Sequence, residues 1–186
     1  MRVIAGLARG RRLTAPQPGR WRSGPQVRPT SDLVRGAIFS VLASLEADMS
    51  RVLDLYAGSG ALGIEAISRG AEWCDFVERD RATCETIRQN LRATGFEHQA
   101  RVYALSAVRA LDQLGGPYTL VLADPPYGDE TALGVLESLS ERGLVHQGEA
   151  LLVLEYSARN EATSEIGGLA LVSSRRHGDS AISIYR

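Results

Sequence analysis

Leu53-Asp54-Leu55-Tyr56-Ala57-Gly58-Ser59-Gly60-Ala61-Leu62-Gly63 decides the fold of this 186-residue chain. An apolar run enters the segment, a helical pattern leaves it, and glycines stand at 58, 60 and 63 between them. That spacing allows a tight turn, close approach of a ligand to the backbone, and close packing of helix on strand. Outward from it, short apolar runs at 52–56, 75–77, 101–104, 119–123 and 151–155 alternate with helical patterns near 61–69, 80–94, 106–114 and 130–142. Strands buried on both faces read as continuous apolar runs, and parallel strands need crossover helices. The pattern predicts an α/β protein with a doubly wound, mostly parallel sheet. Beyond 155, two further runs at 169–173 and 181–185 are joined through Arg175-Arg176-His177-Gly178-Asp179. They predict a closing hairpin, hence seven strands with an antiparallel last strand.

The segment before the sheet is different. Residues 1–30, rich in Arg, Gly and Pro, are expected to form a basic arm, and residues 31–186 the main domain. Within the arm, 3–5 and 12–14 can pair as a small β-hairpin around 6–10. Thr30-Ser31-Asp32 then offers helix N-cap residues, followed by Leu33, Val34, Ala37, Ile38, Val41, Leu42 and Leu45 at helical spacing. Up to Gly36 there are eight arginines and one acid, a net charge of +7, against −8 for the remainder. Lysine is absent from the chain, but that does not explain why the arm is nearly free of acids. A basic arm on an acidic body points to a polyanionic partner, because arginine forks match phosphate oxygens in pairs.

The glycine loop accepts either a dinucleotide or S-adenosylmethionine. Glu78, twenty residues past Gly58, can accept the hydroxyls of an adenosyl ribose. Asp54, expected at the mouth of the loop, would repel a pyrophosphate and attract a sulfonium and an ammonium. The choice therefore falls on S-adenosylmethionine. The candidate loop contacts are Tyr56, Ala57, Gly58, Ser59 and Gly60, with Arg79 beside Glu78. Ser106 and Ala107 open a helix where an adenine ring would reach, and Ser106 is equally suited to capping that helix. Phe76 and Leu105 either sandwich the ring or belong to the core.

The strand at 119–123 runs into Asp124-Pro125-Pro126-Tyr127. Two prolines stiffen the turn, and neither can donate an amide proton, so the Pro125 carbonyl is left as an acceptor. An exocyclic amine on a nucleobase needs acceptors for both hydrogens, because its lone pair is delocalised into the ring. The Asp124 carboxylate and the Pro125 carbonyl supply them, Pro126 fixes the turn, and Tyr127 can stack on a flipped base. This loop is the candidate catalytic site for methylation of an amino nitrogen.

Composition excludes several alternatives. Cys74 and Cys84 are the only cysteines and form no metal-ligand pattern, so neither a disulfide framework nor a metal is expected. No apolar stretch is long enough to span a membrane and Met1–Arg12 lacks the apolar core of a secretory signal, which makes the cytoplasm the expected location.

Arg2-Val3-Ile4-Ala5-Gly6, Gly10-Arg11-Arg12-Leu13, Arg28-Pro29-Thr30-Ser31-Asp32 and Val34-Arg35 resemble the N-terminal signature of the RsmD family of bacterial 16S rRNA guanine-N2 methyltransferases. The 53–63 loop, Phe76-Val77-Glu78, Asp124–Tyr127 and Ile184-Tyr185 extend the resemblance over nearly the whole chain. It implies a Rossmann-like methyltransferase sheet with a reversed last strand. It also implies transfer to N2 of guanine 966, in standard numbering, of 16S rRNA within the 30S subunit or a late assembly intermediate. RNA contacts would come from Arg11, Arg12, Arg28, Pro29, Thr30 and Arg35. The chain departs from the family pattern at Leu33, Gly36 and Ser106. The competing readings are a DNA adenine-N6 methyltransferase, which would need a target-recognition insertion not seen after Tyr127, a nicotinamide-dependent oxidoreductase, and a catalytically silent RNA-binding assembly factor.

Overall fold

A computed structural model describes residues 1–16 and 32–186. Strands β1 (Arg51–Leu55), β2 (Trp73–Glu78), β3 (Ala100–Ala104), β4 (Leu120–Ala123), β5 (Leu151–Ser157), β6 (Glu165–Ile166), β7 (Leu169–His177) and β8 (Ser180–Tyr185) form one sheet in the order β3-β2-β1-β4-β5-β8-β7-β6. β1 to β5 are parallel, while β8 runs antiparallel to both β5 and β7. The eighth strand, β6, is an addition to the seven expected: it pairs only Glu165 with Ala170 and Ile166 with Leu169. Two residues are too few to register as a periodic pattern. The arginines expected in the last connection are also in a strand, because β7 runs on to His177 and only Gly178-Asp179 make the turn.

The helices are α1 (Asp32–Ser44), α2 (Ala61–Ser68), α3 (Arg81–Thr94), α4 (Ala107–Ala110) and α5 (Ala132–Glu141). α4 is shorter than the 106–114 pattern suggested. The amides of Gln113 and Leu114 both turn back onto the Ala110 carbonyl, and Gly115-Gly116-Pro117 cannot continue a helix. Alternating strand residues feed two cores. Val52, Leu120, Val153 and Ile184 join α1, α2 and α3 on one face, while Leu53, Val121 and Leu152 join α4 and α5 on the other. No helix among the described residues is long and apolar enough to cross a membrane.

The start of the arm forms a hairpin, but in another register than the expected pairing of 3–5 with 12–14. Arg2 is bridged to Arg12 in antiparallel sense, Val3 donates to the Arg11 carbonyl and Leu13 to the Met1 carbonyl, because the Ile4 and Ala5 amides turn to Glu65 instead. It is packed into the body: Val3, Ala8 and Leu13 are buried in the core of the first face. Gly6 makes that docking possible. At φ 81°, it lies so close to α2 that an added Cβ would stand 1.7 Å from the Ser68 carbonyl oxygen. Leu7 and Ala8 then donate to the Ser68 carbonyl and hydroxyl at 2.7 and 2.9 Å. The expected boundary between arm and domain at 30–31 lies outside the described residues.

Candidate active site

β1 lies between β2 and β4, where the order of the sheet reverses, and ligands of open α/β sheets bind beyond the carboxyl ends of strands at such a point. Leu55 pairs with Val77 on one side and Ala123 on the other. The next residues along these three parallel strands are Glu78, Tyr56 and Asp124, so the register itself sets the Glu78 carboxylate and the candidate Asp124–Tyr127 loop on either side of the glycine turn.

Gly58 and Gly60 adopt positive φ, and Gly60 caps α2. Gly63 serves a packing role, since a Cβ there would lie 2.4 Å from the Phe76 ring and 2.7 Å from Cys74 Sγ. Phe76 is fully buried against this turn, which assigns it to the core rather than to an adenine sandwich. Glu78 spans the loop mouth, accepting from Gly58 N–H at 3.1 Å and Asp80 N–H at 2.8 Å. Burial raises its pKa, against the lowering effect of those amides. Arg79 is exposed beside it, Ala57 is buried in the turn, and Ser59 is half-buried.

Asp54 requires a correction. It lies beneath the loop, 1% exposed, and accepts the Gly63 amide at 2.8 Å, so it secures the first turn of α2 from below rather than standing at the mouth. The cause is cover on both faces: Leu53, Asp54 and Leu55 sit in a central strand with a core on either side, so neither orientation reaches solvent. Burial pushes the Asp54 carboxyl well above its usual range, the Gly63 amide opposes this, and the charges of Asp124 and Glu78 add to the rise. Tyr56 is in the left-handed region at φ 68°, a strained conformation for a non-glycine residue. Its buried hydroxyl has no hydrogen-bond partner among the described residues. Burial first, and Asp129 second, push its pKa up to about 12.

Asp124 is half-buried, Pro125 buried and Pro126 half-buried, while Tyr127 presents an exposed ring. The Tyr127 hydroxyl is 2.7 Å from Ser180 Oγ, which ties the Asp124–Tyr127 loop to the last hairpin. Ser106 caps α4, its hydroxyl accepting from Arg109 N–H at 3.4 Å, and Ala107 is buried behind it.

Among the expected RNA contacts, Arg11 and Arg12 are exposed on the hairpin, and Arg28, Pro29 and Thr30 lie outside the described residues. Arg35 is a second correction: it is fully buried and cannot meet RNA in this arrangement. It belongs to the inward face of α1 with Val34, Ile38, Phe39 and Leu42. Its Nη2 donates to the Arg2 carbonyl at 2.5 Å and to Asp32 at 2.9 Å, and its Nε lies 3.9 Å from Glu65.

Two side chains that the sequence reading passed over organise this region. Buried Glu65 accepts from Ile4 and Ala5 amides at 2.7 and 3.0 Å and from Arg69 Nε at 2.7 Å. A lone carboxylate in the apolar helix ALGIEAIS was its available signal. Asn90 of α3, 1% exposed, holds both backbone groups of Thr14 at 2.8 and 3.0 Å and donates to the Ser59 carbonyl at 2.9 Å. It thereby joins the arm to the glycine loop.

A glycine turn after the first strand, a carboxylate after the second and an Asp-Pro-Pro-Tyr loop after the fourth define a Rossmann-like methyltransferase. A family model described as conserved hypothetical protein 95 matches residues 1–186, and the chain belongs to that family, the RsmD family its motifs resemble. It is 34% identical over 186 residues to ribosomal RNA small subunit methyltransferase D of Escherichia coli strain K12, covering 100% of this chain and 89% of that one. A solved structure from Escherichia coli, provisionally described as a methyltransferase, superposes with a TM-score of 0.83 at 34% identity, covering 100% of this chain and 96% of that one. A structure from Thermus thermophilus, described as a hypothetical protein, gives a TM-score of 0.76 at 30% identity, covering 99% of this chain and 98% of that one.

Proposed function

We propose that this chain transfers a methyl group from S-adenosylmethionine to the exocyclic N2 of a guanine in small-subunit ribosomal RNA, guanine 966 in standard numbering. The observation that carries the reading is the placement of Asp124–Tyr127 immediately beyond β4, beside Tyr56 at the switch point. The RNA substrate is taken from the relative named for that activity, and it agrees with the exposed arginines of the hairpin.

The residues fit this donor. Space above Gly58 is open, Glu78 offers a carboxylate at the loop mouth, and the Tyr56 hydroxyl is a buried polar atom lacking a partner among the described residues. Glu78 and Asp124 bring carboxylates to the two sides of the glycine turn, and a cationic ligand relieves the charge gathered there. When bound, the donor supplies an electrophilic methyl on a sulfonium.

The protein's part is alignment. Asp124 and the Pro125 carbonyl accept the two amine hydrogens and turn the lone pair toward the methyl. Tyr127 covers the flipped base, held in place by Ser180. The amine becomes acidic only as it gains the methyl group, so Asp124 or water takes the proton late. Most of the acceleration then comes from orientation and from preorganised negative charge. The test supplies labelled S-adenosylmethionine with unmodified small subunits, naked 16S rRNA, or DNA. Labelled N2-methylguanine in RNA is expected; methyladenine in DNA, or no transfer to any acceptor, refutes the reading.

A further inference from the structure

We infer that the β7–β8 hairpin carries a second RNA-binding surface, in which Arg159, Arg175 and Arg176 grip phosphates flanking the target base. The inference rests on the RNA reading above and adds residues outside the N-terminal arm.

Position comes first. Ser180 pairs with both Ser157 of β5 and His177 of β7, so the Gly178-Asp179 turn stands at the carboxyl end of β5. That is the end at which β4 delivers Asp124–Tyr127, and the 2.7 Å contact between Tyr127 Oη and Ser180 Oγ joins the two directly. Ala158 N–H donates to the Asp179 carbonyl at 2.8 Å, which brings Arg159 against the same turn. A base entering the catalytic loop must therefore bring its neighbouring phosphates past this hairpin.

Charge comes second. Residues 37–186 carry a net −8, yet three exposed arginines and half-buried His177 gather here, with Asp179 in the turn and Glu161 two residues past Arg159 as exposed acids and Glu155 buried on β5. None of the three arginines forms an ion pair among the described residues. Successive strand residues point to opposite faces, so Arg175 and Arg176 flank the hairpin on both sides. Arg175 joins Ser173, His177, Ala37 and Val41 along a shallow groove between α1 and β7. On the opposite side of the catalytic loop, Met1 Sδ lies 3.5 Å from Ser59 Oγ, which places the N-terminal hairpin against the glycine turn. Positive charge thus borders the site on two sides, as a strand with one flipped nucleotide requires.

A purely structural account also exists, and it can be separated. β6 pairs with β7 only at Leu169 and Ala170, leaving the rest of that edge without a strand partner among the described residues. Charged side chains on an open edge prevent pairing with another chain. Glutamate preserves that protection, since the edge stays charged, but reverses the force on phosphate.

The test uses the full chain with R175E/R176E and R159E, and R101E in β3 at the opposite end of the sheet as control. Unmodified small subunits and a 16S rRNA transcript are the probes. The double variant is expected to bind RNA at least about tenfold more weakly near 0.1 M salt, with its log–log salt slope shallower by about 1.4–1.8. R159E is expected to lose about half that slope, while donor affinity stays within about twofold for each variant and R101E binds as wild type. An unchanged RNA affinity and slope in R175E/R176E overturns the inference. Aggregation of R175Q/R176Q alongside normal RNA binding by R175E/R176E assigns the arginines to edge protection and also overturns it. A wild-type chain that methylates neither RNA removes the RNA reading itself, an outcome visible without any variant.

Discussion

Glu65→Ala removes a carboxylate that α2 holds wholly out of water. Three groups lose their acceptor, the amides of Ile4 and Ala5 and Nε of Arg69, and Arg35 loses the countercharge 3.9 Å from its Nε. Arg69 is partly exposed and can turn to solvent, but Arg35 is fully buried and keeps only Asp32 and the Arg2 carbonyl among the described residues. Removing one partner of a buried pair typically costs about 3–5 kcal/mol, because the remaining charge stays desolvated. For a chain of this length, each kcal/mol lowers Tm by about 2–4 °C, so a fall of about 10 °C is expected. Denaturant unfolding with an unchanged slope gives the free energy, and limited proteolysis reads release of the hairpin at residues 1–16. The double variant Glu65→Ala with Arg35→Met supplies the decisive comparison. With the stranded guanidinium gone, it should recover part of the loss, since apolar replacement of a buried pair is often nearly neutral. A single variant that loses less than about 1 kcal/mol, or a double variant no better than the single, refutes the burial argument.

Asp124→Ala should abolish methyl transfer while leaving affinity for S-adenosylhomocysteine within about threefold, a difference of less than about 1 kcal/mol; lost binding in calorimetry would move Asp124 from the amine to the donor. Burial raises the folded pKa of Asp54 above its unfolded value of about 4. Its contribution to stability is therefore fully present below that unfolded value and is lost as pH rises through the folded one. Asp54→Asn keeps an acceptor for the Gly63 amide and removes this loss. The variant's stability relative to wild type should accordingly increase as pH rises above about 4 in urea unfolding, and a flat difference would contradict the assignment.

Much of the fold was legible along the chain because its signals are local. Apolar runs mark the parallel strands, the glycines at 58, 60 and 63 mark the turn into α2, and Asp124–Tyr127 mark the loop after β4. Each signal lies within about a dozen residues, and the crossover rules for parallel strands then place the two loops side by side. The limits were equally physical. β6 spans two residues, so no period could report it, and α4 ends where capping and glycines outweigh an apolar pattern.

Side-chain roles at the arm depended on partners far away in sequence. An arginine three residues into α1 reads as RNA-facing until the helix is docked; its burial beside Glu65, thirty positions on, makes it a structural ion. Asn90 meets Thr14 across 76 residues, and Tyr127 meets Ser180 across 53. Asp54 shows the division most plainly. The sequence alone determined that a carboxylate belongs to the glycine turn. Only the packed sheet decided that it lies beneath the turn, because burial depends on which helices cover both faces of β1 and on no property of the segment itself.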